Sequence, residues 1–197
     1  MAIDKIKRRI IGKGRGAVFT PADFLDLGSR ASVDQTLSRL TDQGVIRRLA
    51  RGIYDYPKTS PRLGRLSPDP DAVAAAIARK DGRVVQVSPA RAANMLGLTT
   101  QVPAKAVYLT DGPSRTKQIG AQTIIMRNAA ARNLVGAGKP TGAVFQAVRY
   151  LGKDGVDASV VARLSRTIDA DPRRALVKDA LQAPGWMRPV VQQIAAA

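Results

Sequence analysis

The chain has 197 residues, with 32 lysine and arginine side chains against 15 acidic ones, and it contains no cysteine, histidine or glutamate. The missing residue types exclude disulfides and thiolate chemistry and remove the commonest catalytic acids and bases, so we expect no enzyme activity, no cofactor and no metal. A net charge of +17 predicts a polyanionic partner, and nucleic acid is favoured over a membrane surface.

Basic side chains are dense near the amino terminus. Residues 1–66 carry 14 basic and 6 acidic residues, a net charge of +8 in a third of the chain. Ile3, Ile6, Ile10 and Ile11 also fit a packed helix, so a solvated helix face is as consistent with the pattern as an arm on the DNA backbone. The residues of the predicted arm are Lys5, Lys7, Arg8, Arg9, Lys13 and Arg15.

Residues 20–44 predict two helices joined by a turn. Thr20 can cap the first, with Pro21 at the favoured first position and Asp23 three residues after the cap, and Gly28 ends it. Ser29 can cap the second, which Gly44 closes. In that second helix, the spacing i, i+4, i+7 predicts a packed face of Val33, Leu37 and Leu40.

The opposite face of the second helix is polar. At about 100° per residue, Ser32, Gln35 and Arg39 form one stripe, and such side chains suit base edges and phosphates in the major groove. Two β-prone runs follow, at residues 45–51 and 53–56, and we expect a hairpin that turns at Gly52. That hairpin would be the wing of a winged helix-turn-helix and would carry Arg47, Arg48 and Arg51.

Prolines and a glycine in residues 57–70 predict a break in the chain. We therefore expect two domains, a winged helix-turn-helix DNA-binding domain at residues 1–60 and a second domain at residues 61–197. Helix and strand patterns alternate up to residue 127 and helices follow from residue 141, which predicts a small mixed α/β domain ending in a helical segment. The expected fold class is α+β and mostly helical.

Four patterns could carry chemistry. The loop at residues 136–141 resembles a phosphate-binding loop but has Pro140 where serine or threonine is needed, so a turn between helices is favoured. Residues 12–16 could cradle phosphate, and a flexible basic arm is the favoured alternative. Asp69 and Asp71 could hold a metal, but helix capping explains them better. After a predicted strand, a polar recognition site competes with an ordinary turn; its residues are Asp111, Ser114 and Arg115.

Three further stretches are characteristic in combination with the winged module. They are residues 63–71 (Leu-Gly-Arg-Leu-Ser-Pro-Asp-Pro-Asp), 108–115 (Tyr-Leu-Thr-Asp-Gly-Pro-Ser-Arg) and 149–154 (Arg-Tyr-Leu-Gly-Lys-Asp). With them the chain resembles the AbiEi-type antitoxins over about residues 10–165. The resemblance implies a bacterial type IV toxin–antitoxin system, in which the antitoxin represses its own operon through the winged domain. Its carboxy-terminal domain counters a nucleotidyltransferase-like toxin, and direct contact between the two proteins is not required.

The resemblance also implies a DNA-contacting surface, which falls on Arg30, Gln35, Arg39, Arg47, Arg48 and Arg51. We therefore expect a sequence-specific repressor that binds its own operator in double-stranded DNA, and we expect that operator to consist of inverted repeats. The alternative is an interaction protein whose second domain binds the toxin or an RNA, with the winged domain as a scaffold. No apolar run approaches the roughly 18 residues of a membrane span and no signal peptide is evident, so the expected location is the cytoplasm, and the nucleoid when DNA is bound.

Overall fold

The structure is a computed structural model that describes residues 2–197, apart from the side chains of Ala2 and Ala170. Contacts between residues divide the chain into two compact units. The first comprises the chain up to Arg83 together with Lys117–Ile124, and the second comprises Val84–Thr116 and Ile125–Ala197. The predicted boundary after residue 60 stays a prediction.

The first unit combines three α-helices with short strands. In chain order its elements are α1 (Ala2–Gly12), β1 (Val18–Phe19), a 3₁₀ turn (Pro21–Phe24), α2 (Arg30–Asp42), β2 (Arg47–Ala50), β3 (Ile53–Asp55), β4 (Thr59–Ser60), β5 (Gly64–Arg65) and α3 (Pro70–Lys80).

The predicted helix over residues 20–28 is only a 3₁₀ turn, which is a correction to the sequence analysis. The predicted cap is present: the Asp23 carboxylate accepts from the Thr20 backbone N–H at 2.7 Å and from its hydroxyl at 3.1 Å. The Leu27 N–H then donates to the Phe24 carbonyl at 2.9 Å, which is an i to i+3 bond of the 3₁₀ type. Because Ser29 already caps α2, no further α-helical turn fits between them.

Three strands of the first unit form an antiparallel sheet in the order β1-β3-β2. Val18 and Arg47 both stand opposite Asp55, one on each side of the central strand. The β2–β3 register shifts between Arg48 and Ala50. Helices and sheet enclose one apolar core, formed by Ile6, Ile10, Phe19, Phe24, Val33, Leu37, Leu40, Ile46 and Tyr54.

The second unit begins with a sheet and ends in helices, as the sequence predicted. Its elements are β6 (Val85–Val87), α4 (Pro89–Met95), β7 (Ala106–Thr110), β8 (Arg115–Ile119), β9 (Gln122–Asn128), α5 (Pro140–Leu151), α6 (Ala158–Thr167), α7 (Ala170–Asp179) and α8 (Met187–Ala196). The sheet order is β6-β7-β9-β8, and residues 117–124, at the tip of the β8–β9 hairpin, belong to the first unit.

The carboxy-terminal helices α5 to α8 share a second apolar core. Trp186 packs against it while remaining partly exposed, just before α8. The expected α+β class is confirmed. No helix in the described residues is long and apolar enough to cross a membrane.

Candidate nucleic-acid interface

Helix α2 has one packed face and one uncovered face. The Ser29 hydroxyl accepts from the Ser32 backbone N–H at 3.3 Å, which caps the helix start, and Gly44, with φ at +69°, lets the chain turn away at the other end. The predicted packed face is confirmed and gains one polar member. The buried residues of α2 are Val33, Thr36, Leu37 and Leu40.

The predicted readout stripe lies on the uncovered face of α2. Gln35 and Arg39 are exposed and Ser32 is half-buried. Because Val33 and Leu37 hold the opposite side of the helix in the core, the stripe is presented on a rigid element. Its amide and hydroxyl groups can both donate and accept hydrogen bonds, and its guanidinium can donate them, which suits the acceptors and donors on base edges.

Helix α2 itself is electrically neutral, with two arginines and two aspartates. Arg30 Nε lies 2.9 Å from Asp34 Oδ2, one helical turn away, and both side chains are exposed. Arg39 makes no ion pair within the part of the chain that the structure describes. Of the two α2 arginines, Arg39 is therefore the one with its charge available to a ligand, and bulk attraction for a polyanion has to come from neighbouring elements.

Arg47 faces a buried carboxylate. Its Nη2 and Nε lie 2.6 Å and 3.1 Å from the two Asp55 oxygens, and Nη2 also donates to the Leu66 carbonyl at 2.9 Å. The hydrogen bond and the charge of Asp55 raise the pKa of Arg47 against the opposing effect of burial. Arg47 was predicted as a DNA contact from its place in the hairpin; the structure places it as the counter-ion of Asp55.

The β2–β3 hairpin forms where it was predicted, with Gly52 at φ +70° in the turn. Arg48 and Arg51 are exposed on it. The Arg51 carbonyl accepts from Lys80 Nζ at 2.7 Å, which ties the turn to α3. The guanidiniums of Arg48 and Arg51 make no ion pair among the described residues, so these two predicted wing arginines are available to an anion.

The amino-terminal basic segment is the packed helix α1, one of the two alternatives that the sequence left open. Ile6 and Ile10 are fully buried, and three of the predicted cations, Lys5, Lys7 and Arg8, lie exposed.

Arg9 on the same helix is held by Asp26, with its Nη1 and Nη2 atoms 2.6 and 2.7 Å from the carboxylate oxygens. That hydrogen bonding raises the pKa of Arg9 and lowers the pKa of Asp26.

Residues 12–16 form a bonded turn, in place of the flexible arm that the sequence favoured. Gly14 and Gly16 have φ near +81° and +94°, and Gly16 N–H donates to the Tyr56 carbonyl at 2.6 Å. Arg15 lies 4.7 Å from the centre of the Tyr56 ring and donates to the Pro57 carbonyl at 3.0 Å. Lys13 is exposed. Intramolecular bonds therefore occupy Arg9 and Arg15. The other four predicted cations are exposed, although Arg8 Nε donates to the Asp4 carbonyl at 3.4 Å.

One basic element was missed by the sequence analysis. Residues 57–70 were interpreted as a break, yet they hold the antiparallel hairpin β4–β5. Lys58, Arg62 and Arg65 are exposed on it. The signal that could have found it is Pro61 and Gly64 between two short polar runs, since proline and glycine at those positions also favour a tight hairpin turn.

The three candidates of the second unit do not converge on one site. Asp111 Oδ1 accepts from the Val84 backbone N–H at 3.0 Å and lines a depression with Lys139 and Asp179. Ser114 Oγ accepts from the Asn128 backbone N–H at 2.9 Å. Ser114 and Arg115 line a different shallow groove, along β8 and β9.

The loop at residues 136–141 is occupied by the protein's own carboxylate. Asp179 accepts from the Thr141 hydroxyl at 2.8 Å and from Lys139 Nζ at 3.1 Å. The lysine and the threonine are the two groups that a nucleotide phosphate and its metal would need. The geometry therefore favours the turn between helices.

Asp69 caps α3, accepting from the Asp71 backbone N–H at 3.1 Å, as the capping interpretation predicted. In the part of the chain that is described, no cluster of three or more potential ligand residues could hold a metal ion.

Together these features define a basic α+β protein in which a rigid helix with an uncovered polar stripe stands among exposed cations. A family model matches residues 5–174, and the chain belongs to that family, a family of unknown function designated DUF6088. Comparison with curated proteins finds no match.

Proposed function

We propose that this protein is a sequence-specific DNA-binding antitoxin that represses its own toxin–antitoxin operon and counteracts a nucleotidyltransferase-like toxin. The DNA-binding part carries the proposal furthest. The observation that supports it most is α2, whose apolar face is buried while Ser32, Gln35 and Arg39 form an uncovered polar stripe.

The arrangement of elements around α2 supports a winged helix-turn-helix. A helix, a strand, a turn, a second helix and a β-hairpin follow one another, and the first strand joins the hairpin in the sheet order β1-β3-β2. In winged modules of this kind the second helix enters the major groove and the hairpin lies beside it. The short 3₁₀ turn takes the place of the first helix of the pair.

The contacts divide into two kinds. Gln35 can bond both the N6 and N7 positions of adenine, and Arg39 can bond O6 and N7 of guanine. Exposed cations that make no ion pair among the described residues would hold phosphates and add affinity without reading sequence. These cations are Lys5, Lys7, Lys13, Arg48 and Arg51.

The antitoxin part of the proposal rests on the resemblance over residues 63–71, 108–115 and 149–154. The operon's own operator, with inverted repeats read by two protomers, is the proposed DNA partner. The toxin is a functional partner, and direct contact with it is not required. Asp111, Ser114 and Arg115 stay candidates for the antitoxin activity of the second unit, and the proposed location is the cytoplasm and nucleoid.

The test is binding of the purified protein to its own upstream DNA and to a shuffled sequence across a salt series. Arg39→Ala should lower affinity for the operator by about 1–3 kcal/mol and relax specificity at one base position. Arg48→Ala should weaken binding to every sequence and flatten the plot of log affinity against log salt concentration by about 0.9.

The matched control is Arg174→Ala, which removes an exposed positive charge from α7 in the second unit. It should leave both specificity and salt dependence unchanged. Equal losses on operator and shuffled DNA for the Arg39 variant would defeat the assignment of that residue, and equal binding of the unaltered protein to both sequences would defeat the proposed repressor.

A second candidate, an RNA partner for the second unit, is favoured by one pair of arginines. Arg149 Nη2 donates to the Arg132 carbonyl at 3.2 Å, and neither guanidinium has a carboxylate partner among the described residues. Burial, and secondarily the charge of Arg132, lower the pKa of Arg149, and the negative charge of a bound phosphate would offset both effects by favouring the charged guanidinium. The purified protein should then retain RNA that nuclease removes, and Arg149→Gln should abolish that retention. A toxin that co-purifies regardless of nuclease would instead favour a protein partner.

A further inference from the structure

The β4–β5 hairpin has a short, well-bonded tip. Thr59 pairs with Arg65 and Ser60 pairs with Gly64, which leaves Pro61, Arg62 and Leu63 in the turn. The Ser60 hydroxyl accepts from the backbone N–H groups of Arg62 and Leu63, both at 3.3 Å. The Ser60 side chain at the base of the turn thus stabilises the tip.

The hairpin is also tied to the carboxyl end of α2. Arg65 Nη2 donates to the Gly44 carbonyl at 3.2 Å, just after the helix. The Leu66 carbonyl accepts from Arg47 at 2.9 Å, and Leu66 N–H closes the hairpin on the Lys58 carbonyl at 2.9 Å. The tip therefore keeps a fixed position beside the end of the helix that carries Arg39.

The chemistry of this tip is unusual for a solvent-exposed loop. Leu63 is 77% exposed, and the segment from Tyr56 to Pro68 carries three basic side chains and no acidic one. A single exposed leucine is common on protein surfaces. A leucine on a hydrogen-bonded turn and flanked by cations instead matches proteins that combine basic side chains in the minor groove with an inserted apolar wedge.

We propose that the β4–β5 hairpin is a minor-groove wedge, in which Leu63 inserts at one base step and bends the DNA while Arg62 and Lys58 hold the groove. The inference rests on the proposed DNA-binding function, and it adds a second element to it. Arg65 positions the hairpin through Gly44. The groove entered would be the minor groove flanking the major groove read by α2, since Arg65 ties the hairpin to the carboxyl end of that helix.

A wedge has a consequence for the DNA sequence. Unstacking is easiest at pyrimidine–purine steps such as TA and CA. A flexible step is therefore expected beside each α2 half-site, at a position where no side chain reads a base edge, and replacing it with a stiff A-tract step should weaken binding.

The experiment measures operator affinity and bend angle together, with full-length protein and operator DNA labelled at both ends for energy transfer. Leu63→Ala should reduce the bend and weaken binding roughly tenfold, because the unstacked step loses its apolar contact. Val102→Ala is the matched control, since Val102 is 78% exposed in the second unit; it should change neither quantity. Thermal unfolding of both variants should match that of the unaltered protein, because neither side chain contributes to a core.

A second arm tests the coupling between leucine and DNA step. Stiffening the flexible step should weaken binding of the unaltered protein but leave the Leu63→Ala variant nearly unaffected. If the unaltered protein prefers its own DNA while Leu63→Ala bends and binds that DNA equally well, the wedge is overturned and the repressor stands. If the unaltered protein shows no preference for its own DNA, the repressor is overturned and the wedge with it.

Discussion

Replacing Arg47 with alanine should act on folding stability first. Asp55 is 1% exposed and receives two hydrogen bonds from Arg47, at 2.6 Å and 3.1 Å. Arg47→Ala leaves that carboxylate buried without its counter-ion, and it also removes the donor to the Leu66 carbonyl. An uncompensated buried charge of this kind typically costs about 3–5 kcal/mol.

The expected loss is somewhat below that range, about 2–3 kcal/mol, because 26% of the Arg47 side chain is exposed and water can replace part of it. For a unit of this size, each kcal/mol shifts the melting temperature by about 4–8 °C. We therefore expect the melting temperature of the first unit to fall by about 10–20 °C. The measurement is thermal unfolding of the full chain, followed by far-UV circular dichroism.

Arg48→Ala is the matched control for this prediction, because Arg48 is the next residue of β2 and is exposed. It should change the free energy of unfolding by less than about 0.5 kcal/mol. The double variant Arg47→Met with Asp55→Leu should recover most of the lost stability, because it removes both charges. The structural role would be refuted if Arg47→Ala melted like the Arg48 variant and also flattened the plot of log affinity for DNA against log salt concentration by about 0.9. That outcome would restore Arg47 as a phosphate contact.

Two further predictions concern the second unit. The Ser159 hydroxyl and the Val160 backbone N–H lower the pKa of Asp157, which caps α6, from its ordinary 3.8. The stabilisation by the ionised carboxylate is present above that ordinary pKa and is lost as the pH falls through the lowered pKa. Asp157→Asn should therefore flatten the decrease of melting temperature as the solution is acidified below the ordinary pKa. An unchanged acid profile would contradict this. In α5, a Cβ at Gly142 would collide with the Gln86 amide and the Gly136 carbonyl, so Gly142→Ala should destabilise the protein by about 1–3 kcal/mol in urea unfolding. The control is Gly12→Ala, whose Cβ meets no atom within 4 Å and should leave the stability unchanged. Equal urea midpoints for the two variants would show that α5 can shift to accommodate the added Cβ.

Local signals along the chain were good predictors. The cap at Ser29, the Thr20–Asp23 pair and the stop at Gly44 all involve groups within four residues of each other, so their bonding could be inferred from spacing. The packed face of α2 followed from the helical period for the same reason. Even the 3₁₀ turn kept the predicted cap, although the helix it was expected to open did not form.

Pairing across strands could not be inferred in the same way. Arg47 and Asp55 meet because β2 and β3 are paired in one register, and a shift of one residue would turn Arg47 to the other face. The same limit hid the β4–β5 hairpin, whose proline and glycine are equally consistent with a linker. Arg9 was assigned to a basic arm because its partner, Asp26, lies 17 residues away.

The neutrality of α2 has a consequence for how affinity and specificity would be divided. Because α2 carries no net charge, the salt-dependent part of the proposed DNA binding would come from α1 and from the β2–β3 and β4–β5 hairpins. The sequence-dependent part would come from the α2 stripe and the DNA bend. Removing Lys5 or Lys7 should then shift affinity equally on operator and shuffled DNA. Changing Gln35 should reduce only the difference between them. A repressor built this way can have its overall affinity adjusted by surface charge without altering which operator it reads.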